Sequence, residues 1–308
     1  MKIKKAIQLY NDFGFKVAFA SFCASAFSHP RAVMLWKDEV LIDYLRKNYA
    51  HVIQKYKNLP ENNSHESSGI IWSVWWQGEE NAPEIVKKCF ANIRKYCGSH
   101  EFKVITKENY RDYIDVPEYI LKKVDDGIIT LTHFSDILRM GLLYKYGGLW
   151  LDSTILVKDK IPDDIFETPY FTVRRTFDIY FNCIARKRWT TFLQAAQKGS
   201  KLCGSVFDCH LAFWKDHNSL FDYFLLDYCI ALAYKDLPDV KKLIDSVPFN
   251  NPENENLQLL LGEPFDEKKF EELTSSTMFF KLTYKHKFEK NISGVPTFYG
   301  KITETNFL

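Results

Sequence analysis

The stretch from residue 134 to residue 154, FSDILRMGLLYKYGGLWLDST, decides the fold of this chain of 308 residues. It is mostly apolar from Ile137 to Tyr144, which predicts a helix that is buried on most of its surface. The Gly147-Gly148 pair gives the backbone the freedom for a sharp exit, and the next three residues predict a short buried strand. Asp152 then stands at the carboxyl end of that strand, which is where open α/β sheets bind their ligands.

Two acids and one arginine in this stretch are candidates for a ligand site. Asp136 and Arg139 lie three residues apart near the predicted start of the helix, so both side chains can project from one face, and the strand end can bring Asp152 near them. Each acid alone is equally typical of a helix cap or a turn. A helix N-terminus, a guanidinium and a carboxylate that converge on one cleft suit a polyol that carries phosphates.

The same residues carry a family resemblance. The pattern SDxLR at residues 135–139, followed by LYxYGGxWxD at residues 143–152, resembles the signature of glycosyltransferases with the DXD sugar-binding motif, a group that includes α-mannosyltransferases. The similarity is strongest to the capsular polysaccharide synthesis proteins, and IIWSVWWQG at residues 70–78 and KLTYK at residues 281–285 support it. The resemblance covers roughly residues 68 to 290.

Strand and helix patterns alternate after residue 69, which predicts a mostly parallel α/β sheet. The resemblance implies the GT-A version of this Rossmann-like fold. Residues 1–68 are predicted to form an N-terminal helical appendage, because apolar residues recur every three or four positions between residues 36 and 56 and a polar linker follows. Residues 69–308 are then the glycosyltransferase domain. The predicted strands lie at 70–76, 102–106, 149–151 and 170–173, and the predicted helices at 83–96, 117–125, 136–146 and after residue 205.

Composition and charge narrow the class of protein. The 41 basic and 39 acidic residues nearly balance, which argues against a nucleic-acid partner, because nucleic-acid-binding proteins need a concentrated basic surface.

Seven cysteines without a CxxC pair predict reduced thiols in a cytoplasmic protein. The apolar run 17–27 after a basic start resembles a signal peptide, but the favoured prediction is a helix that packs on the enzyme or rests on the inner face of the plasma membrane.

The nucleotide base of a donor is predicted to bind where the first strand ends. An aromatic ring at Trp75 or Trp76 can stack on uracil while the Gln77 amide reads the edge of the base. Adjacent strand residues face opposite sides, so one of the two indoles should be in the core, and Trp76 is the favoured base contact. The resemblance adds Ser135 and Trp150 of the motif to the donor site.

The resemblance also assigns roles to polar residues around the sugar. Asp136 and Arg139 would hold the sugar hydroxyls and the ribose, and a polar residue after the strand at 170–173 would approach the sugar. Asp178 and Asn182 are the candidates for that position, and either could equally be a turn residue. In the helices after residue 205, Asp227 stands between apolar neighbours and needs a partner or a task.

A divalent metal, Mn²⁺ or Mg²⁺, is the cofactor that the resemblance implies. Two carboxylates at DXD spacing would engage it, but Thr154 takes the second position here, and a hydroxyl is a weaker, neutral ligand. Asp152 and Thr154 are therefore the predicted metal residues, with diphosphate oxygens completing the shell. Alternatively, Lys285 or His286 neutralises the diphosphate without a metal.

The resemblance implies a retaining enzyme that moves a hexose from a nucleotide-diphosphate donor, with UDP-galactose or UDP-glucose favoured over GDP-mannose. The expected acceptor is a lipid-linked oligosaccharide of capsular or surface polysaccharide synthesis, and a membrane-bound acceptor favours peripheral membrane contact. The alternative is a noncatalytic sugar-binding or scaffold protein with a degenerate site, because Thr154 replaces the second acid.

Overall fold

A computed structural model describes residues 3–27, 30–60, 68–174, 184–304 and 307 of the chain. Asp178 and Asn182 lie outside these ranges, as do residues 61–67, which make up most of the predicted linker. The roles predicted for those two side chains therefore stay predictions.

The described residues form helices and strands in alternation. The helices are α1 (Ile3–Ala26), α2 (Arg31–Asn48), α3 (Ala50–Lys57), α4 (Glu84–Tyr96), α5 (Glu118–Asp125), α6 (Leu131–Tyr146), α7 (Asp164–Glu167), α8 (Lys201–Asp216), α9 (Leu225–Asp236), α10 (Pro238–Asp245), α11 (Asn256–Leu259), α12 (Glu267–Thr274) and α13 (Phe298–Thr303). The strands are β1 (Ile71–Val74), β2 (Phe102–Ile105), β3 (Gly148–Leu151), β4 (Ile155–Val157), β5 (Tyr170–Thr172), β6 (Leu193–Ala196), β7 (Phe279–Lys281), β8 (Asn291–Ile292) and β9 (Val295–Pro296).

The central sheet has the strand order β2-β1-β3-β6-β5. β1 runs parallel to both β2 and β3, whereas β6 is antiparallel to both β3 and β5. Only β6 therefore runs against the other four strands, which confirms the predicted mostly parallel α/β sheet. A second small sheet pairs β4 with β7 and places Ile155 opposite Lys281.

Alternation along the strands divides the core into two apolar clusters, one on each face of the sheet. Trp72 and Trp150 belong to one cluster with apolar residues of α6, α8 and α9, while Leu149 and Leu151 belong to the other with residues of α4 and β7. Residues of α1, α2 and α3 also belong to the first cluster. The predicted N-terminal helices are thus built into the core that α8 and α9 share, and the domain boundary after residue 68 stays a prediction.

The stretch that decides the fold forms the predicted helix, turn and strand, but its helix begins earlier than expected. α6 starts at Leu131, and the Thr130 side chain caps it by accepting a hydrogen bond from the His133 amide. Asp136 is therefore in the second turn, and the prediction that it stands at the helix N-terminus was wrong. At the other end, Gly148 has a φ of +100°, and a Cβ there would lie 2.2 Å from the Ile70 carbonyl oxygen. Glycine is required where β3 approaches β1 this closely.

No helix in the described part of the chain is both long enough and apolar enough to cross a bilayer.

The cysteines in the described part of the chain are free thiols, as expected from the sequence.

Candidate functional site

A cavity of about 710 Å³ opens where β1 and β3 end. The end of β1 and the residues after it, 74–77, form part of its wall, and residues 152–154 follow β3 into it. The lining also includes residues of α6, the start of α9, and residues from the segments 185–192, 255–258 and 281–285. Asp152 thus reaches the carboxyl edge of the sheet that the sequence predicted for a ligand.

Four side chains of alternating charge extend from the core to this cavity. Arg139 donates from Nη1 to Asp136 Oδ1 at 2.8 Å and from Nη2 to Asp152 Oδ1 at 3.0 Å. The Lys281 ammonium donates to the other oxygen of Asp152, Oδ2, at 2.8 Å. We call Asp136, Arg139, Asp152 and Lys281 the charged chain. The structure therefore brings together the three residues that the sequence predicted and adds a fourth.

The charged chain passes from the protein interior to the cavity. The Arg139 side chain is 4% exposed and that of Asp136 is 13% exposed, whereas those of Asp152 and Lys281 are 27% and 24% exposed. Burial raises the pKa of Asp136, and the nearby Arg139 guanidinium only partly offsets it. Burial would also raise the pKa of Asp152, but the Lys281 ammonium and Arg139 outweigh it and hold that pKa below its ordinary value. Asp152 is consequently ionised at neutral pH.

Trp150 supports the charged chain from the core. Its indole is wholly buried, donates to Asp152 Oδ1 at 2.9 Å and lies 5.0 Å beneath the Arg139 guanidinium. Trp150 does not line the cavity and is wholly buried, so the structure does not bring it to the predicted donor site. It lies inside β3, on the face of the sheet that apolar residues of α6 cover.

The two predicted base-stacking indoles both line the cavity, and both are half-buried. Trp75 meets Tyr284 edge to face at 5.4 Å, while Trp76 packs against Tyr110 and Phe134 at 5.2 and 5.0 Å. The two indoles face opposite sides as alternation predicts, since Trp76 packs against the cluster that contains Trp72, whereas Trp75 packs against the other cluster, but neither indole is in the core. Which indole contacts a base stays a prediction, as does the role of the exposed Gln77 beside them.

The remaining predicted donor residues differ in their positions. Ser135 lines the cavity, although its hydroxyl donates to the Thr132 carbonyl at 2.6 Å. Lys285 is exposed and also lines the cavity. His286 does not line it, and its ring lies 6.3 Å from that of Phe288. The chain bends after Tyr284 and carries His286 away, so the prediction that His286 meets the diphosphate is not supported.

Lys281 is the residue that the sequence prediction missed. It follows Asp152 by 129 positions, and only the pairing of β4 with β7 brings the two side chains together. Its place at the start of the KLTYK motif could have indicated a role in the site. The sequence analysis instead selected Lys285, the last residue of that motif, as the lysine that neutralises the diphosphate.

Asp227 is a further carboxyl group in the cavity wall. It lies in the first turn of α9, is 7% exposed, and accepts a hydrogen bond from Trp189 Nε1 at 2.9 Å. Burial raises its pKa to about 7, although the bond from Trp189 acts in the opposite direction. The sequence predicted that this acid needs a partner or a task, and the structure supplies Trp189 as the partner.

The predicted metal residues fit a divalent ion poorly. Both oxygens of Asp152 accept from cationic or indole donors, and Asp136 is engaged by Arg139. Thr154 lines the cavity but offers only a neutral hydroxyl. Within the described ranges, no three His, Cys, Asp or Glu residues group together in a way that could hold a metal ion.

This geometry is that of an α/β protein with a charged, aromatic cavity at the carboxyl ends of parallel strands. The model of the capsular polysaccharide synthesis protein family matches residues 26–302, and the chain belongs to that family. The match begins at the end of α1, upstream of the predicted domain boundary.

Two proteins named O-glycosyltransferases are similar to part of the chain. The O-glycosyltransferase PaGT of Phomopsis amygdali is 25% identical over 167 residues, which are 50% of this chain and 41% of the relative. The O-glycosyltransferase braB of Annulohypoxylon truncatum is 25% identical over 146 residues, or 40% of this chain and 35% of the relative. The chain thus spans less than half the length of these relatives. No solved structure gives a significant match.

Proposed function

We propose that this protein is a GT-A glycosyltransferase whose cavity binds a nucleotide-diphosphate hexose. The observation that carries the proposal is the charged chain, set at the carboxyl ends of β1 and β3 beside two indoles. A diphosphate needs cations held by a rigid frame, and an indole offers a face to a base. The cavity supplies five basic side chains against four acidic ones: Arg139, Arg186, Lys187, Lys281 and Lys285 against Asp136, Asp152, Asp227 and Glu255.

The donor is proposed to be UDP-galactose or UDP-glucose, and the acceptor a lipid-linked oligosaccharide of capsular or surface polysaccharide synthesis. The family and the two relatives named O-glycosyltransferases support a sugar-transfer reaction. The acidic side chains Asp136 and Asp227 are suited to accepting hydrogen bonds from sugar hydroxyls when ionised, and such contacts distinguish epimers.

Transfer is proposed to retain the anomeric configuration by front-face displacement. Asp152 is engaged by three donors and is a poor nucleophile, so a covalent glycosyl intermediate on it is disfavoured. In the proposed step the bond from the anomeric carbon to the diphosphate breaks, and the electron pair leaves with the diphosphate. The acceptor hydroxyl oxygen bonds to the same face of that carbon, and its proton passes to a diphosphate oxygen. Lys281 and Arg139 would stabilise the developing negative charge.

The test is a panel of UDP- and GDP-sugars, each incubated with the protein and a lipid-linked acceptor. We expect release of nucleotide diphosphate with one UDP-hexose and an α-linked product by proton NMR. Asp136→Ala should lower turnover by about a hundredfold or more. Asp239→Ala, which removes a half-exposed carboxylate on α10, is the matched control and should leave turnover unchanged. Tight donor binding without turnover would instead favour the noncatalytic sugar-binding protein.

Peripheral membrane contact is proposed to involve an exposed aromatic face of α1 and α2. Phe15 and Phe19 stack at 5.4 Å, Trp36 meets Phe19 at 6.0 Å, and all three are exposed. The opposite face of α1 is buried, so this helix is apolar on two sides. Three exposed lysines, Lys4, Lys5 and Lys16, accompany one acid in the described part of α1. Aromatic rings beside lysines fit the interface of an anionic bilayer.

Co-sedimentation with vesicles tests this contact. We expect binding to vesicles that contain phosphatidylglycerol, and weaker binding to neutral phosphatidylcholine. The double variant Phe15→Ser/Phe19→Ser should lose most of the binding. Leu259→Ser is the control, because Leu259 is exposed on α11, outside the aromatic face. Equal binding by wild type and the double variant would contradict the proposed face.

A further inference from the structure

We infer that the Lys281 ammonium takes the place of the divalent metal in this site, so that the nucleotide diphosphate binds without a metal ion. The inference rests on the proposed function, since it concerns how the same cavity neutralises the donor. The sequence predicted a metal ion on Asp152 and Thr154. In the inferred site the cation is the Lys281 ammonium, a residue that the sequence prediction did not select.

Lys281 is held in position rather than free at the surface. It is the last residue of β7 and pairs with Ile155, only three residues after Asp152. Its backbone amide donates to the Asn254 carbonyl at 2.6 Å, and its ammonium lies 5.6 Å from the centre of the Phe192 ring. A lysine fixed by its strand, by a ring and by a carboxylate loses little further freedom when it binds an anion.

The carboxylate that would anchor a metal already accepts three hydrogen bonds. Asp152 accepts from Arg139 and Trp150 at Oδ1 and from Lys281 at Oδ2, so a metal would have to displace one of these donors or share Oδ2 with the Lys281 ammonium. In either position a divalent ion would lie close to a cationic side chain and be repelled by it. Thr154 cannot compensate, because its oxygen carries no charge.

The charge balance of the site also fits a lysine. The charged chain is neutral overall without a metal, because two monovalent cations, Arg139 and Lys281, balance Asp136 and Asp152. An ammonium has three donor hydrogens, and Asp152 uses one of them, which leaves two for diphosphate oxygens. Lys285, which is more exposed and also lines the cavity, would add charge at the rim.

Calorimetric titration of UDP into the wild-type protein tests the inference, once with EDTA and once with Mn²⁺. We expect the two dissociation constants to agree within about twofold. Lys281→Met should weaken binding about tenfold or more in EDTA, and Mn²⁺ should restore part of the loss because an oxygen of Asp152 becomes free. Lys281→Arg should keep most of the affinity. Lys290→Met removes a lysine that pairs with Glu84 outside the cavity, and it should bind like wild type.

The outcomes separate the two proposals. Wild-type UDP binding that strengthens about tenfold or more with Mn²⁺ would overturn the inference about Lys281 while leaving the proposed glycosyltransferase in place. An unchanged UDP affinity in a folded Lys281→Met protein would also overturn it. Failure of the wild type to bind UDP or GDP in either condition would overturn both.

Discussion

Replacement of Arg139 by methionine measures how strongly the charged chain is coupled to the fold. Methionine keeps much of the side-chain volume but removes the guanidinium that bonds Asp136 and Asp152 at 2.8 and 3.0 Å. Since the Arg139 side chain is 4% exposed, the change leaves the buried Asp136 carboxylate without its cation. Removing one partner of a buried ion pair destabilises a protein by about 3–5 kcal/mol. Asp152 keeps the Lys281 ammonium as a partner, so most of the lost unfolding free energy should come from the unpaired Asp136 carboxylate.

Urea denaturation of wild type, Arg139→Met, Asp136→Asn and the double variant gives the coupling free energy. We expect the double variant to be less destabilised than the sum of the single variants, because a neutral amide in place of the Asp136 carboxylate needs no cation. Lowering the pH should reduce the deficit of Arg139→Met, since Asp136 can then take up a proton. Arg94→Met is the control, because the Arg94–Glu79 pair is half-exposed and should contribute less than about 1 kcal/mol. A deficit of Arg139→Met no larger than that of the control, or strict additivity of the single variants, would show that the Asp136 carboxylate does not depend on Arg139.

Three further predictions concern other parts of the site. Because burial raises the pKa of Asp227 to about 7, the unfolding free energy of wild type relative to Asp227→Asn should fall as the pH rises between about 4 and about 7. A constant difference in unfolding free energy between the two proteins across that range would contradict the raised pKa. Gly148→Ala should destabilise the fold by several kcal/mol more than Gly127→Ala, since both residues have positive φ but only at position 148 would the added Cβ lie 2.2 Å from a carbonyl oxygen. Equal melting temperatures of the two variants would count against this. Trp76→Ala should weaken UDP binding about tenfold, measured by calorimetry. A larger effect of Trp75→Ala would indicate that Trp75, and not Trp76, contacts the base.

The sequence predicted those parts of the fold that local patterns determine. The mostly apolar run predicted α6, the glycine pair predicted the turn after it, and the short apolar segment that follows predicted β3. Together they placed Asp152 at the edge of the sheet. The start of α6 was misplaced because its first turn contains the polar Thr132 and His133, which mask the periodicity. The exposed end of a helix carries little apolar pattern, whereas its buried middle carries much.

The parts of the site that depend on tertiary contacts could not be predicted in the same way. Lys281 reaches Asp152 only through the register of β7 on β4, which one sequence does not specify. The position of Trp150 beneath Asp152 requires knowing which face of β3 carries α6. Asp227 was recognisable as unusual from its apolar neighbours, but its partner Trp189 lies 38 positions away. Long-range pairing thus decides which of several plausible polar residues share the cavity.

A crystal structure of the protein with UDP, grown in the presence of EDTA, tests the role of Lys281 most directly. We expect the diphosphate within hydrogen-bonding distance of the Lys281 ammonium, with the uracil against Trp75 or Trp76 in the cavity beyond β1 and β3. Diphosphate bound in a second cavity of the described chain, which Tyr170, Asn251 and Met278 line, would contradict this expectation. So would UDP in the predicted cavity with its diphosphate turned away from Lys281.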